Sequence, residues 1–257
     1  MQELTLKLVR RLPGWLSLHE GQFLEKAAKR VINLRGVVVE IGSFQGKSTI
    51  WLAQTRQTVY AIDPHRGKFS GGASSPTYQA FLTHLRQAGV SPYVKPLVKT
   101  SRAAARGWRE PIKLLFVDGL HDEVNAHRDF ELWSPRVVTG GIIAMHDSFC
   151  GWEGAEKVAR EKIVNSDNFR EIGVVGSITY GVKGQPNFWQ GLDHWRCRLL
   201  IRLGLRLHRQ KFLPRWLSFW LVQRLIKLGL LNRFTLPRLK PLYQHSRKPP
   251  RQTRGMN

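Results

Sequence analysis

Four short apolar runs in this chain end in side chains that carry chemistry: "VVVE" in Glu40, "TVYAID" in Asp63, "IKLLFVD" in Asp118, and "GGIIAMHD" in His146 and Asp147. A carboxylate in such a place can accept two hydrogen bonds from a diol, bind a hard cation, or cap a neighbouring helix. Asp63 follows Glu40 by 23 residues, the separation at which a strand-end acid takes the hydroxyls of a ribose. One such acid reads equally well as a helix cap, whereas four at corresponding places point to one ligand. Between the first two lies "IGSFQGKST", which at first sight is a phosphate cradle. The spacing excludes that reading. A P-loop has four residues between its glycines, and Gly42 and Gly46 have three. The dinucleotide pattern G-x-G-x-x-G fails too, because Phe44 stands where its second glycine belongs.

For these ends to meet, the runs must be neighbouring strands of one sheet. Residues 19–34 have apolar side chains at helical spacing (Phe23, Ala27, Val31, Leu34), and strands are predicted over 36–41, 58–63, 93–98, 112–119 and 140–147. Helices are predicted over 46–55, 77–88, 122–136 and 151–165, with a Gly/Ser-rich loop at 66–76. "REIGVVG" and "SITYGVKG" then form an antiparallel pair at the sheet edge. Strands alternating with helices imply right-handed crossovers and an α/β, doubly wound, mostly parallel sheet. Ligands of such sheets bind beyond the carboxyl ends of the strands, near the switch in strand order.

The charge is distributed unevenly. The chain has 257 residues and a net charge of +23. From Phe188 onward there are 16 Lys/Arg against one acid, and the preceding 187 residues hold 25 Lys/Arg against 17 acids. The basic excess therefore belongs to the tail. Residues 1–187 are expected to form the catalytic domain, 188–246 a basic amphipathic helical extension, and 247–257 a disordered tail. Two cysteines without paired spacing fit a reducing compartment. Charges interrupt the N-terminal apolar stretch, so no signal peptide is expected. No window of 18 apolar residues predicts a membrane span. The expectation is a cytoplasmic protein, peripheral to the inner face of the membrane if the tail docks there.

In this order, "VVVEIGSFQGKST", "AIDP", "LLFVDGLHDE" and "GGIIAMHD" resemble class I S-adenosylmethionine-dependent methyltransferases. The likeness is closest to the branch whose fourth strand reads V-D-G-x-H and whose fifth reads G-G-x-x-x-x-H-D. That branch is similar to catechol O-methyltransferase and to the antibiotic-sugar O-methyltransferases of methyltransferase family 24. The resemblance covers about residues 20–183 and implies a Rossmann-like seven-stranded sheet with S-adenosyl-L-methionine as cofactor. It places Glu40, Gly42, Ser43 and Gly46 against the methionine half and Asp63 on the ribose. Ser101 is a candidate for the adenine side, with a plain helix N-cap as the alternative, and the resemblance makes Asp118 a further cofactor-binding residue. Lys47 is expected to be a solvated helix residue. The implied acceptor is a hydroxyl on a small molecule, sugar or glycolipid.

The resemblance also raises a divalent metal, with Asp118, His146 and Asp147 at the ligand positions. Such an ion would lower the pKa of an acceptor hydroxyl. His146 departs from the second acid of the sugar enzymes, and Leu120 stands where some of them carry an acidic base. Oxygen ligands suit Mg, whereas histidine favours a softer ion such as Mn or Zn. The alternative is metal-independent transfer with His121 as the base, and a third reading makes His121 and His146 structural. Asp118 and Asp147 count as catalytic in either enzyme reading, and a non-catalytic membrane-binding module is the rival outside enzymology.

"HWRCRLLIRLGLRLHRQ" puts Arg198, Arg202, Arg206 and Arg209 on one helical face beside Trp195, Leu199, Leu203 and Leu207, and "PRWLSFWLVQRLIKLGLL" follows. Cationic helices with Trp and Leu suit an anionic membrane surface, here through residues 195–231. Packing on the catalytic domain or on a second subunit of a homo-oligomer is the alternative. Nucleic acid is not expected, since no recognised RNA-binding module is present.

Overall fold

The computed structural model describes residues 3–66, 76–149, 152–209 and Arg224. Most of the 66–76 loop, the "PRWLSFWLVQRLIKLGLL" segment apart from Arg224, and the 247–257 tail lie outside the described residues. Seven strands form one sheet in the order β3-β2-β1-β4-β5-β7-β6. They are β1 (Val37–Ile41), β2 (Val59–Ile62), β3 (Val94–Leu97), β4 (Ile112–Val117), β5 (Val137–Met145), β6 (Phe169–Val175) and β7 (Ile178–Lys183). The first five pair in parallel. β7 inserts antiparallel between β5 and β6. The mostly parallel α/β sheet with an antiparallel edge is therefore present.

Alternation along the buried strands feeds two cores. Val38, Leu114 and Ile142 face α1 (Glu3–Arg11), α2 (Leu18–Arg30), α3 (Lys47–Ala53) and α4 (Pro76–Gln87). Val39, Leu115 and Ile143 face α5 (Ser101–Ala105), α6 (Glu123–Trp133), α7 (Glu153–Ala159) and α8 (Phe188–Arg209). Helix α1 is an element that the sequence pattern did not predict. Helix α7 continues into a π-helical turn over Arg160–Val164. Helix α8 begins at Phe188, and its inner residues Cys197, Ile201 and Leu205 belong to the same core as α5–α7.

Two local devices position the site. Helix α2 opens with a capping box in which Ser17 and Glu20 satisfy each other's backbone N–H groups. The same Glu20 carboxylate accepts hydrogen bonds from the Ser177 amide (2.7 Å) and hydroxyl (2.8 Å), which ties α2 to the β6–β7 turn. The second device is the turn after β1. Gly42 has φ +89°, and a Cβ there would lie 2.0 Å from the Asp118 carbonyl oxygen. Only glycine fits so close a crossing of two chains.

Candidate active site

The chain runs outward from β1 to β2 and β3, then returns to continue on the other side with β4 and β5. The strand-order switch thus falls between β1 and β4. Backbone bonds align the carboxyl ends there. The amide of Gly42 reaches the Ile62 carbonyl, Asp118 reaches Ile41, and His146 reaches Val117, at 2.8–2.9 Å. Beyond this rim lies a cavity of about 590 Å³, walled by Gly42, Ser43, Asp63, Ser101, Asp118 and His121 among others.

Asp63 is the best-oriented acid of the wall. Its Oδ2 accepts from the Phe44 amide at 2.8 Å and its Oδ1 from the His65 amide at 2.6 Å. Each oxygen keeps a lone pair for a ligand. Ser43 is buried in the same wall, and its hydroxyl has no hydrogen-bond partner among the described residues. Ser101 accepts from the Trp133 indole at 2.8 Å, while the N-cap of α5 is Thr100. The capping alternative for Ser101 is therefore replaced by a contact between α5 and α6.

Glu40 and Gly46 do not line the cavity. Glu40 is fully buried beneath the turn and accepts from the Thr49 hydroxyl, which braces α3. Burial, reinforced by Asp118 and Asp63 and opposed by Ser48 and Thr49, pushes its carboxyl up to about 8. Gly46 serves as the left-handed N-cap of α3.

On the far side of the cavity, His121 Nε2 lies 3.5 Å from Asp147 Oδ2, and its ring stacks on Trp152. Asp147 adopts the left-handed conformation (φ +50°), unusual for a residue that is not glycine. The loops are laced together by Trp152 N to Asp147 O (2.9 Å) and Ala155 N to His121 O (3.1 Å). His146 is buried below them. Its Nδ1 lies 3.0 Å from Asp118 Oδ1 and 3.7 Å from Asp147 Oδ2, and its Nε2 lies 3.8 Å from Glu20 Oε2.

That arrangement bears on the metal. Asp118, His146 and Asp147 do come together. A ligating histidine, however, must be neutral and offer a lone pair. Burial disfavours the charged ring of His146, but Asp118 first and then Glu20 outweigh it and raise its pKa well above the ordinary value. Correspondingly, Glu20 is held at about 2, its burial overcome by His146 with help from Ser17 and Ser177. Among the described residues no group of three His, Cys, Asp or Glu is arranged to hold a metal ion. Both ring nitrogens of His146 face carboxylates, Nδ1 towards Asp118 and Asp147 and Nε2 towards Glu20, so the trio is arranged as an ion-pair network and not as an open ligand set.

Three wall residues were not anticipated from the sequence. Lys47, expected in solvent, bonds the Gly14 carbonyl at 3.1 Å and lines the cavity. Burial lowers its pKa against the pull of Glu20. Asp129 lies buried on α6 with its carboxyl raised, chiefly by burial. The readable signal was an acid in the apolar phase of that helix, beside Ala126, Phe130 and Trp133. Trp15 approaches Phe44 at 6.1 Å across the mouth, and the spacing of its residues held no sign of that.

Residues 39–148 match the family model described as a methyltransferase domain. This stretch is similar to a methyltransferase domain. It contains the strand-end residues from β1 to the end of β5, whereas Gly14, Trp15, Glu20 and Trp152 of the site lie outside it. Solved structures support the same fold. An O-methyltransferase from Bacillus cereus in complex with SAH is 19% identical, over 71% of this chain and 92% of that one, with a TM-score of 0.54. TomG of Streptomyces achromogenes, an O-methyltransferase involved in tomaymycin synthesis and solved with SAM, is 18% identical, over 72% of this chain and 91% of that one, at 0.52. CalS11, a TDP-rhamnose 3'-O-methyltransferase of calicheamicin biosynthesis, is 16% identical, over 70% of this chain and 92% of that one, at 0.50. The chain shares the fold of these enzymes.

Proposed function

We propose that this protein transfers a methyl group from S-adenosylmethionine to a hydroxyl oxygen of a small molecule, sugar or glycolipid, without a metal. The observation that carries the reading is Asp63, whose carboxylate is fixed by two amides at the edge of the cavity, opposite the His121–Asp147 pair. The wall suits the cofactor: the Gly42 turn and Asp118 meet at the rim of the cavity, and the Ser43 hydroxyl is buried there without a hydrogen-bond partner among the described residues.

When bound, S-adenosylmethionine supplies an electrophilic methyl on a sulfonium, and a C–O bond forms as the C–S bond breaks. Asp63 accepts from the ribose diol and so sets the position of the cofactor. Asp147 Oδ2 favours the proton of His121 on Nε2 and leaves Nδ1 to take the acceptor's hydroxyl proton. Asp147 then stabilises the resulting imidazolium. Most of the acceleration comes from in-line positioning of the two substrates. Trp15, Phe44 and Leu120 at the mouth are exposed apolar surfaces. They suit an acceptor with an apolar face, a description that includes the C–H face of a sugar ring.

The test combines calorimetry and turnover. S-adenosylhomocysteine should release heat on binding, and labelled methyl should pass to a hydroxyl acceptor from a panel spanning catechols and nucleotide sugars. His121→Ala should retain S-adenosylhomocysteine binding yet lower turnover about 10²- to 10⁴-fold. Binding without turnover on any acceptor supports the non-catalytic module, and loss of activity on chelation sinks the metal-free mechanism.

A further inference from the structure

Helix α8 has two apolar faces. Its inner face (His194, Cys197, Ile201, Leu205) is buried against the sheet side of the core. On the opposite face Phe188, Leu192, Trp195, Leu199 and Leu203 are between 46% and 74% exposed. At 100° per residue this outer stripe lies half a turn from the buried one. A helix apolar on both faces has an unmet surface.

The charges around the stripe identify what covers it. Arg202 and Arg206 are exposed beside it, Arg202 with one guanidinium nitrogen on Asn165 Oδ1 at 3.0 Å, while Arg198 is turned inward to the carbonyls of Val164 and Ser166. The sequence from Phe188 onward carries 16 basic residues and one acid. Two copies of that segment meeting face to face would repel. A nucleic acid would satisfy the arginines but leave the Trp and Leu side chains in water. An anionic bilayer surface satisfies both, because the apolar stripe enters the acyl boundary while the flanking guanidinium groups meet headgroup phosphates. No helix among the described residues is long and apolar enough to cross a membrane, so the contact is one that lies along the interface.

We propose that the outer face of α8, through Trp195, Leu199 and Leu203 with Arg202 and Arg206, docks the protein on an anionic lipid surface. The test uses the full chain in co-flotation with vesicles of phosphatidylcholine plus phosphatidylglycerol, against vesicles of phosphatidylcholine alone. The protein should float with the anionic vesicles and be released by high salt. The triple change Trp195→Gln, Leu199→Gln, Leu203→Gln should weaken partitioning at least tenfold. Arg202→Gln with Arg206→Gln should weaken it roughly fivefold per arginine. All five positions face solvent, so circular dichroism should be unchanged. Equal partitioning of the parent and triple variant overturns the assignment to this face. A parent dimer that the triple variant dissociates assigns the face to a second copy. A monomer that binds neither vesicle means that the chain's own later residues cover it, and either result overturns the proposal.

Discussion

Asp63→Asn is the sharpest probe of the cofactor reading, because it changes one charge and almost no volume. In the parent, both carboxylate oxygens are held by amide donors, Phe44 at 2.8 Å and His65 at 2.6 Å. Asparagine supplies one oxygen, so its NH₂ must face the other amide, donor to donor. Two effects follow. The ligand loses at least one charge-assisted hydrogen bond worth about 1.5–3 kcal/mol, which is roughly a tenfold to hundredfold loss of affinity. The protein keeps one amide unpaired, a cost near the lower end of about 1–3 kcal/mol because the site opens to solvent. That corresponds to a melting temperature lower by about 2–4 °C. Calorimetric titration with S-adenosylhomocysteine reads the first effect and ligand-free thermal denaturation the second. An Asn variant that binds within about threefold of the parent would refute the placement of the ribose. A variant that collapses without ligand would show instead that Asp63 is mainly a turn residue.

Two further substitutions test the floor of the site. Glu40 is held at about 8 in the fold against an ordinary 4.5. Between those values the unfolded chain gives up the proton first, so this group makes stability fall as pH rises from about 4.5 to 8. Glu40→Gln cannot ionise, and its stability relative to the parent should grow by a few kcal/mol from pH 5 to pH 8 in urea unfolding; parallel curves would contradict the buried, protonated acid. Gly42→Ala should abolish S-adenosylhomocysteine binding and cost more than about 3 kcal/mol, since the new Cβ meets the Asp118 carbonyl at 2.0 Å. Gly89→Ala is its control. That residue also has positive φ but has nothing within 4 Å of the added atom, so only the left-handed strain of about 1–2 kcal/mol applies. If the two variants lose equal stability, close approach is not the reason for Gly42.

The strand-end residues were legible because burial on both faces makes parallel strands continuous apolar runs, and the first polar residue after each run marks the carboxyl edge. Glu40, Asp63, Asp118 and His146 were all found in that way. Their division of labour was not legible. Glu40 and Asp63 have the same signature, yet one is enclosed under α3 and the other opens on the cavity. Which face a strand-end side chain takes depends on the parity of the pleat and on what packs there. Lys47 was misplaced for a related reason: the segment that meets it, Gly14, lies 33 residues away in the chain. Local spacing carries no information about such a partner.

Taken alone, the sequence determined the class of sheet, the order of its helices and strands, the glycine turn after β1, and the concentration of positive charge after residue 187, since each depends on local periodicity and composition. Tertiary structure decided the insertion of β7 between β5 and β6, the burial of α8 by one face while the other stays bare, and the enclosure of His146 by Asp118, Asp147 and Glu20. Glu20 precedes His146 by more than a hundred residues and reads from sequence as a helix cap. Its electrostatic partnership exists only because folding brings both groups into a place where little water remains to screen them.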